Sequence, residues 1–111
     1  MTILHSLMRT ESEILSEIDC FAPTAGDWRP MDVLLGDLWS LGVREDHLPI
    51  LFRVFERFPS EDGAGVLWGI VHGVEALPFD YEPALLASID RKTSHLGELM
   101  LERLQRSRSD R

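Results

Sequence analysis

Apolar positions recur at helical spacing along nearly the whole chain, and nowhere do they alternate long enough to make a strand. In residues 2–19 one stripe runs through Ile3, Leu4, Leu7, Met8, Glu11, Ile14, Leu15 and Ile18, apolar except at Glu11. The stretch "FAPTAGD", with Pro23 and Gly26, predicts a loop. A second helix is expected from near Pro30, with Asp27 close to its start. Met31, Leu34, Leu35, Leu38, Trp39 and Leu41 mark its inner face and Gly42 its end. Asp46 is placed to cap a third helix, whose Leu48, Leu51, Val54, Phe55 and Phe58 face inward before Pro59. Ser60 or Asp62 is placed to cap a fourth, which finishes before Pro78. "FDYEPALLASID" reads as a fifth, with Asp80 as cap and Pro83 in the first turn. "SHLGELMLERLQR" reads as a sixth, capped by Ser94, with Leu96, Leu99, Met100 and Leu104 inward. The fold class is therefore all-α: about six helices in three antiparallel hairpins, as a compact bundle or a short HEAT-like stack. Residues 1–106 form a single domain, and 107–111 read as a frayed tail.

The fourth segment, "VLWGIVHGVE", carries the most unusual pattern. On a helix, Trp68, His72 and Glu75 fall within about 60° of one another. Leu67, Ile70, Val71 and Val74 make a broad apolar face beside them. Gly65, Gly69, Gly73 and Ala76 line the opposite side. Interior glycines cost about 1 kcal/mol each relative to alanine, so three at this spacing call for close approach of a neighbouring helix or a partner. The strip suits a homodimer as well as an internal contact. With so little face left for water, this helix is expected to be central. Two readings of the Trp68–His72–Glu75 stripe stand side by side. One is a buried network in which Trp68 packs over a His72–Glu75 pair; the other is an interface anchor.

Length and charge narrow the class. At 111 residues the chain makes one domain, able to bury about 65% of its unfolded surface. Cys20 is the only cysteine, so no internal disulfide forms; it reads as a small buried apolar residue in a reducing compartment. The start lacks the apolar core of a signal peptide, and no run is long enough for a membrane span. A cytoplasmic protein is the expectation. The net charge is −8, and it is uneven: residues 11–46 hold nine acids against Arg29 and Arg44. Such a field repels a phosphate backbone, which argues against direct nucleic-acid binding and for a basic protein partner.

Candidate chemistry is thin. His72 and Glu75 stand in His-x-x-Glu order with no second such pair, and His5, His47 and His95 lack ligand spacing, so neither a metal nor another cofactor is expected. No nucleophile elbow, phosphate-cradling glycine loop or His-Glu-x-x-His run is present, and Asp27, Asp32 and Asp37 are spaced to surround a helix rather than to pair. An enzyme is not expected; stoichiometric metal in the purified chain would revive a metal-dependent one built on His72 and Glu75.

Residues 66–107 add a likeness. Trp68, Ile70, Val71, His72 and Glu75, then Tyr81 opening the next helix, the Leu85–Leu86 pair, and Met100, Arg103 and Leu104 resemble the C-terminal half of small all-helical immunity proteins. Those belong to bacterial polymorphic toxin and contact-dependent inhibition systems. The chain departs from them at "TSHLGEL", where a Pro-x-Trp lead is usual. It departs again at Gln105, Arg106 and Ser107, where an asparagine–serine pair is usual; its first 65 residues carry no matching motif. The resemblance implies a cytoplasmic, non-catalytic protein that occludes one cognate toxin domain, many such toxins being nucleases with basic clefts. Joined to the acidic first half, it nominates Asp27, Asp32, Asp37, Glu45, Asp46, Glu61 and Asp62 for steering and charge pairing. Trp28, Trp68, His72 and Glu75 are nominated as the contact anchors. The alternative with the same fold is a helical adaptor that binds a protein or peptide without any toxin.

Overall fold

The computed structural model describes residues 9–109. Six α-helices follow one another: α1 (Glu11–Cys20), α2 (Arg29–Leu41), α3 (Leu48–Arg57), α4 (Trp68–Glu75), α5 (Glu82–Arg91) and α6 (His95–Ser109). A single 3₁₀ turn, Glu45–His47, leads into α3. No strand occurs among the described residues beyond an isolated bridge between Thr24 and Asp27. The chain is an all-α bundle.

Local chemistry sets most of the helix ends. Thr10 caps α1 through a reciprocal pair: its hydroxyl accepts the Glu13 N–H, and the Glu13 carboxylate accepts the Thr10 N–H. The stripe expected over residues 2–8 lies outside the described residues. Pro30, Pro49 and Pro83 occupy the first turns of α2, α3 and α5, where a missing N–H costs nothing. Asp80 accepts the Glu82 N–H at the head of α5, and Ser94 accepts the Gly97 N–H at the head of α6, both as expected. Asp46 does not cap α3. Its carboxylate accepts from Arg44 Nε at 3.2 Å, while His47 Nδ1 takes the Arg44 N–H at 3.1 Å and closes the 3₁₀ turn. At the other end, α6 continues to Ser109, so residues 107–109 are helical where a frayed end is expected.

The fourth helix departs most from its sequence pattern. Residues 63–67 form turns, no side chain of Ser60 or Asp62 caps α4, and α4 starts only at Trp68. The cause is a run of three left-handed residues, Gly63, Ala64 and Gly65, at φ of 61°, 54° and 92°. A right-handed helix cannot pass through them. Gly63 is buried, and a Cβ there would come within 2.9 Å of the Trp28 indole. Tertiary packing of Trp28 therefore shapes the turn.

The hub is α3, not α4. It packs against α1, α5 and α6, while α4 packs chiefly against α2. Half of α3 is fully buried (Leu48, Leu51, Phe52, Val54 and Phe55), whereas α4 buries only Ile70, Val71 and Val74. The pairings α1–α2 and α5–α6 agree with a hairpin reading; the middle hairpin is replaced by α3 reaching both flanks. Two further expectations are corrected. Leu41 is 55% exposed at the end of α2, and Cys20 is exposed, since it lies across α1 from the Ile14 and Ile18 stripe.

Long-range ion pairs link the helices. Arg53 makes two hydrogen bonds to Asp19, tying α3 to α1, and Arg57 donates to the Phe21 carbonyl just past α1 and to the Ile18 carbonyl, which also accepts the Phe21 N–H. Arg91 and Ser88 of α5 both donate to Glu56 of α3. Burial pushes the Glu56 carboxyl up, but the Arg91 guanidinium and the Ser88 hydroxyl outweigh it and hold it below its ordinary value. Arg44 grips Glu11 at 2.7 and 2.8 Å and holds that carboxyl down at about 2. A carboxyl depressed in the folded state adds stability that is complete above its ordinary value and vanishes as pH falls through the folded one. Stability should thus stay level from neutral pH to about 4.5 and then decline toward about 2, the window set by Glu11. Urea midpoints measured across this range for the parent chain and Glu11→Gln check the point. The variant should decline less steeply, and parallel curves would remove Glu11 from the account.

Candidate functional site

The nominated residues separate into three groups. Trp28 leaves the surface altogether. It is 7% exposed, lies 5.4 Å from the Phe21 ring and 5.0 Å edge-on from Phe58, and forms part of the core. It sits just before α2 and points inward because Met31, Leu34, Leu35 and Leu38 set that helix's buried side. Trp28 is therefore no contact anchor.

A second group is engaged inside the molecule. Asp27 accepts from both the backbone and the side chain of Arg29, with Nε at 2.8 Å, and orders the start of α2. Asp46 holds Arg44. Glu75 is bound twice by Arg103, at 2.9 Å each, which fastens α4 to α6. Glu75, Tyr81, Arg103, Leu104 and Ser107 line a small cavity of about 240 Å³. Burial and then the Glu75 carboxylate raise the Tyr81 hydroxyl above its ordinary value. Of the two readings of the stripe, the His72–Glu75 network is not formed, since Glu75 is taken by Arg103. Trp68 and His72 instead stack on each other, centroids 5.5 Å apart at 29°, with His72 exposed and Trp68 half-buried.

The third group faces water without a cation. Asp32 and Asp37 lie on α2, Glu45 just beyond it, and Glu61 and Asp62 in the α3–α4 turns. None of them has an ion-pair partner among the described residues, whereas all nine described arginines do: Arg9, Arg29, Arg44, Arg53, Arg57, Arg91, Arg103, Arg106 and Arg108. The arginine charge is held within the molecule, Lys92 has no ion-pair partner among the described residues, and these five unpaired carboxylates point outward.

The helix that carries Asp32 and Asp37 packs beside the helix that carries the aromatic stack. Trp39 of α2 lies against Gly73 of α4 so closely that a Cβ on Gly73 would clash with the indole. That contact sets α2 beside α4, so the Asp32–Asp37 helix and the Trp68–His72 stack are neighbours. Of the expected glycine strip only Gly73 makes such an approach. Gly69 is open, and Gly65 lies outside the helix.

Sequence reasoning passed over the joint between α1 and the 3₁₀ turn. His47 is 1% exposed, and its Nε2 stands 3.6 Å from Glu11 without a hydrogen bond. Because Nδ1 accepts the Arg44 N–H, the neutral ring carries its proton on Nε2, which points toward Glu11 and is unsuited to ligate a metal. The one signal for this joint was Glu11, a charge set in an apolar stripe. No group of three or more His, Cys, Asp or Glu among the described residues is arranged to hold a metal ion. No helix among them is long and apolar enough to cross a membrane.

The structure thus defines an all-α bundle in which α2 carries Asp32 and Asp37 without ion partners and the adjoining α4 carries an aromatic stack. No family model matches the chain, and no curated protein or solved structure matches it.

Proposed function

We propose that the protein is a cytoplasmic immunity protein that binds a cognate antibacterial toxin domain, one with a basic cleft such as a nuclease's, and blocks it stoichiometrically without catalysis. The observation that carries this reading is the division of charge. All nine described arginines are held by internal carboxylates, while Asp32, Asp37, Glu45, Glu61 and Asp62 face outward without cations. Such a surface attracts a basic domain, repels nucleic acid, and so competes with nucleic acid for a basic cleft. The likeness of residues 66–107 to immunity proteins supports the same reading. Within that likeness, the Glu75–Arg103 pair braces α4 on α6 and Trp68 and His72 supply the exposed anchor.

The test is genetic and then kinetic. The domain captured by this chain should arrest cells when expressed alone and be harmless when the chain is present. Changing Asp32, Asp37 and Glu45 together to lysine should slow association about tenfold or more at low salt and flatten its salt dependence. A harmless partner would favour the adaptor reading. An association rate unaffected by the triple change would remove the steering argument.

A further inference from the structure

The outer side of α2 carries a pattern that the core does not explain. Val33 and Leu41 are 56% and 55% exposed, the two most exposed large apolar side chains of the described protein. With Asp37 they stand at successive turns of one stripe, four residues apart each time. Asp37 is half-buried, flanked above and below by apolar surface, and has no ion partner among the described residues. Beside the stripe lie Gly36 and Ser40, and a Cβ added to Gly36 would meet nothing within 4 Å. An interior glycine with empty space around it weakens the helix without helping the protein's own packing.

We propose that this stripe is the seat for one arginine of a basic protein partner. Its aliphatic stem would lie across Val33 or Leu41, and its guanidinium would meet the Asp37 carboxylate. The small residues Gly36 and Ser40 let the partner's backbone close in alongside. Arginine fits better than an uncharged apolar knob because the centre of the stripe is a carboxylate. A second copy of this chain fits poorly, since two acidic faces would meet. Leu86, 44% exposed on α5 with Asp90 one turn on, offers half of the same pattern, with no second apolar flank. The proposal rests on the basic-partner reading above, but it asks nothing about toxicity.

The experiment is an NMR titration of the ¹⁵N-labelled full chain with a short amphipathic peptide carrying arginines, and with the same peptide carrying neutral citrulline. The largest shifts are expected at Val33, Gly36, Asp37, Ser40 and Leu41, and they should be lost with citrulline. Asp37→Asn should weaken the arginine peptide about fivefold, Val33→Ser about threefold, and Asp90→Asn not at all. Largest shifts at Asp90 or at Glu61 and Asp62 would overturn the proposal. So would equal binding of the two peptides, an unaffected Asp37→Asn chain with an intact spectrum, or sedimentation of the free chain as a dimer that covers α2. A failed titration beside a toxic, captured partner would leave the immunity reading in place and move the contact elsewhere.

Discussion

Trp28→Ala is expected to lower the free energy of unfolding by about 3–5 kcal/mol, the range for removing a buried aromatic from a core that cannot close over the gap. The indole touches three parts of the chain. Phe21 follows α1, Phe58 follows α3, and Gly63 begins the left-handed turn before α4. Closing the void would require the turn at residues 63–65 to move, and its three left-handed residues leave it little room to do so. The midpoint of thermal unfolding followed by circular dichroism should fall by about 10–20 °C. Trp28→Phe keeps a ring in the site and should cost less than half as much. A loss below about 1 kcal/mol for Trp28→Ala would mean that the indole does not hold the turn. It would also reopen the reading of Trp28 as a surface anchor.

That residue shows where sequence reading stops. The 3.6-residue period located six helices, and Ser94, Asp80 and the early prolines located several of their ends, because those signals are local. Burial of Met31, Leu34, Leu35 and Leu38 followed from the same period. The start of α4 did not, because Gly63 to Gly65 adopt left-handed angles in answer to an indole 35 residues earlier in the chain. The centre of the bundle was misplaced for a related reason. Interior glycines made α4 look enclosed on every side, yet a glycine is as compatible with open solvent as with a tight contact. The unbroken apolar density of α3, with Phe52 and Phe55 both buried, was the better sign. The acidic face could be read from composition alone. Which acids remain free to meet a partner could not, since that depends on arginines far along the chain, such as Arg57 and Arg53 reaching back to Asp19.

The glycines give the second large effect, because their environments predict changes of opposite sign. Gly73→Val should destabilise the chain by about 2–4 kcal/mol: the new side chain must displace the Trp39 indole, and a β-branched residue adds its own helix cost. Trp39 is half-buried, so its escape route is outward, and the displacement should register as red-shifted tryptophan emission alongside the lowered urea midpoint. Gly69→Ala and Gly36→Ala meet no atom within 4 Å and should instead stabilise the free chain by about 0.5–1 kcal/mol, chiefly by restricting the unfolded state. A Gly73→Val chain as stable as the parent would show that the Trp39–Gly73 contact does not join α2 to α4, and destabilising changes at Gly69 and Gly36 would show that those positions are not open. The two stabilising changes carry further weight for function. Where open glycine is retained only through tolerance, alanine should raise stability and leave binding alone. Where a partner's backbone must approach, the same methyl should raise stability and weaken binding, a trade-off typical of contact positions. Gly36→Ala, beside Asp37 and between the levels of Val33 and Leu41, should behave in the second way and bind the arginine peptide less tightly than the parent chain. Gly69→Ala, on α4 and away from that stripe, should bind it equally well.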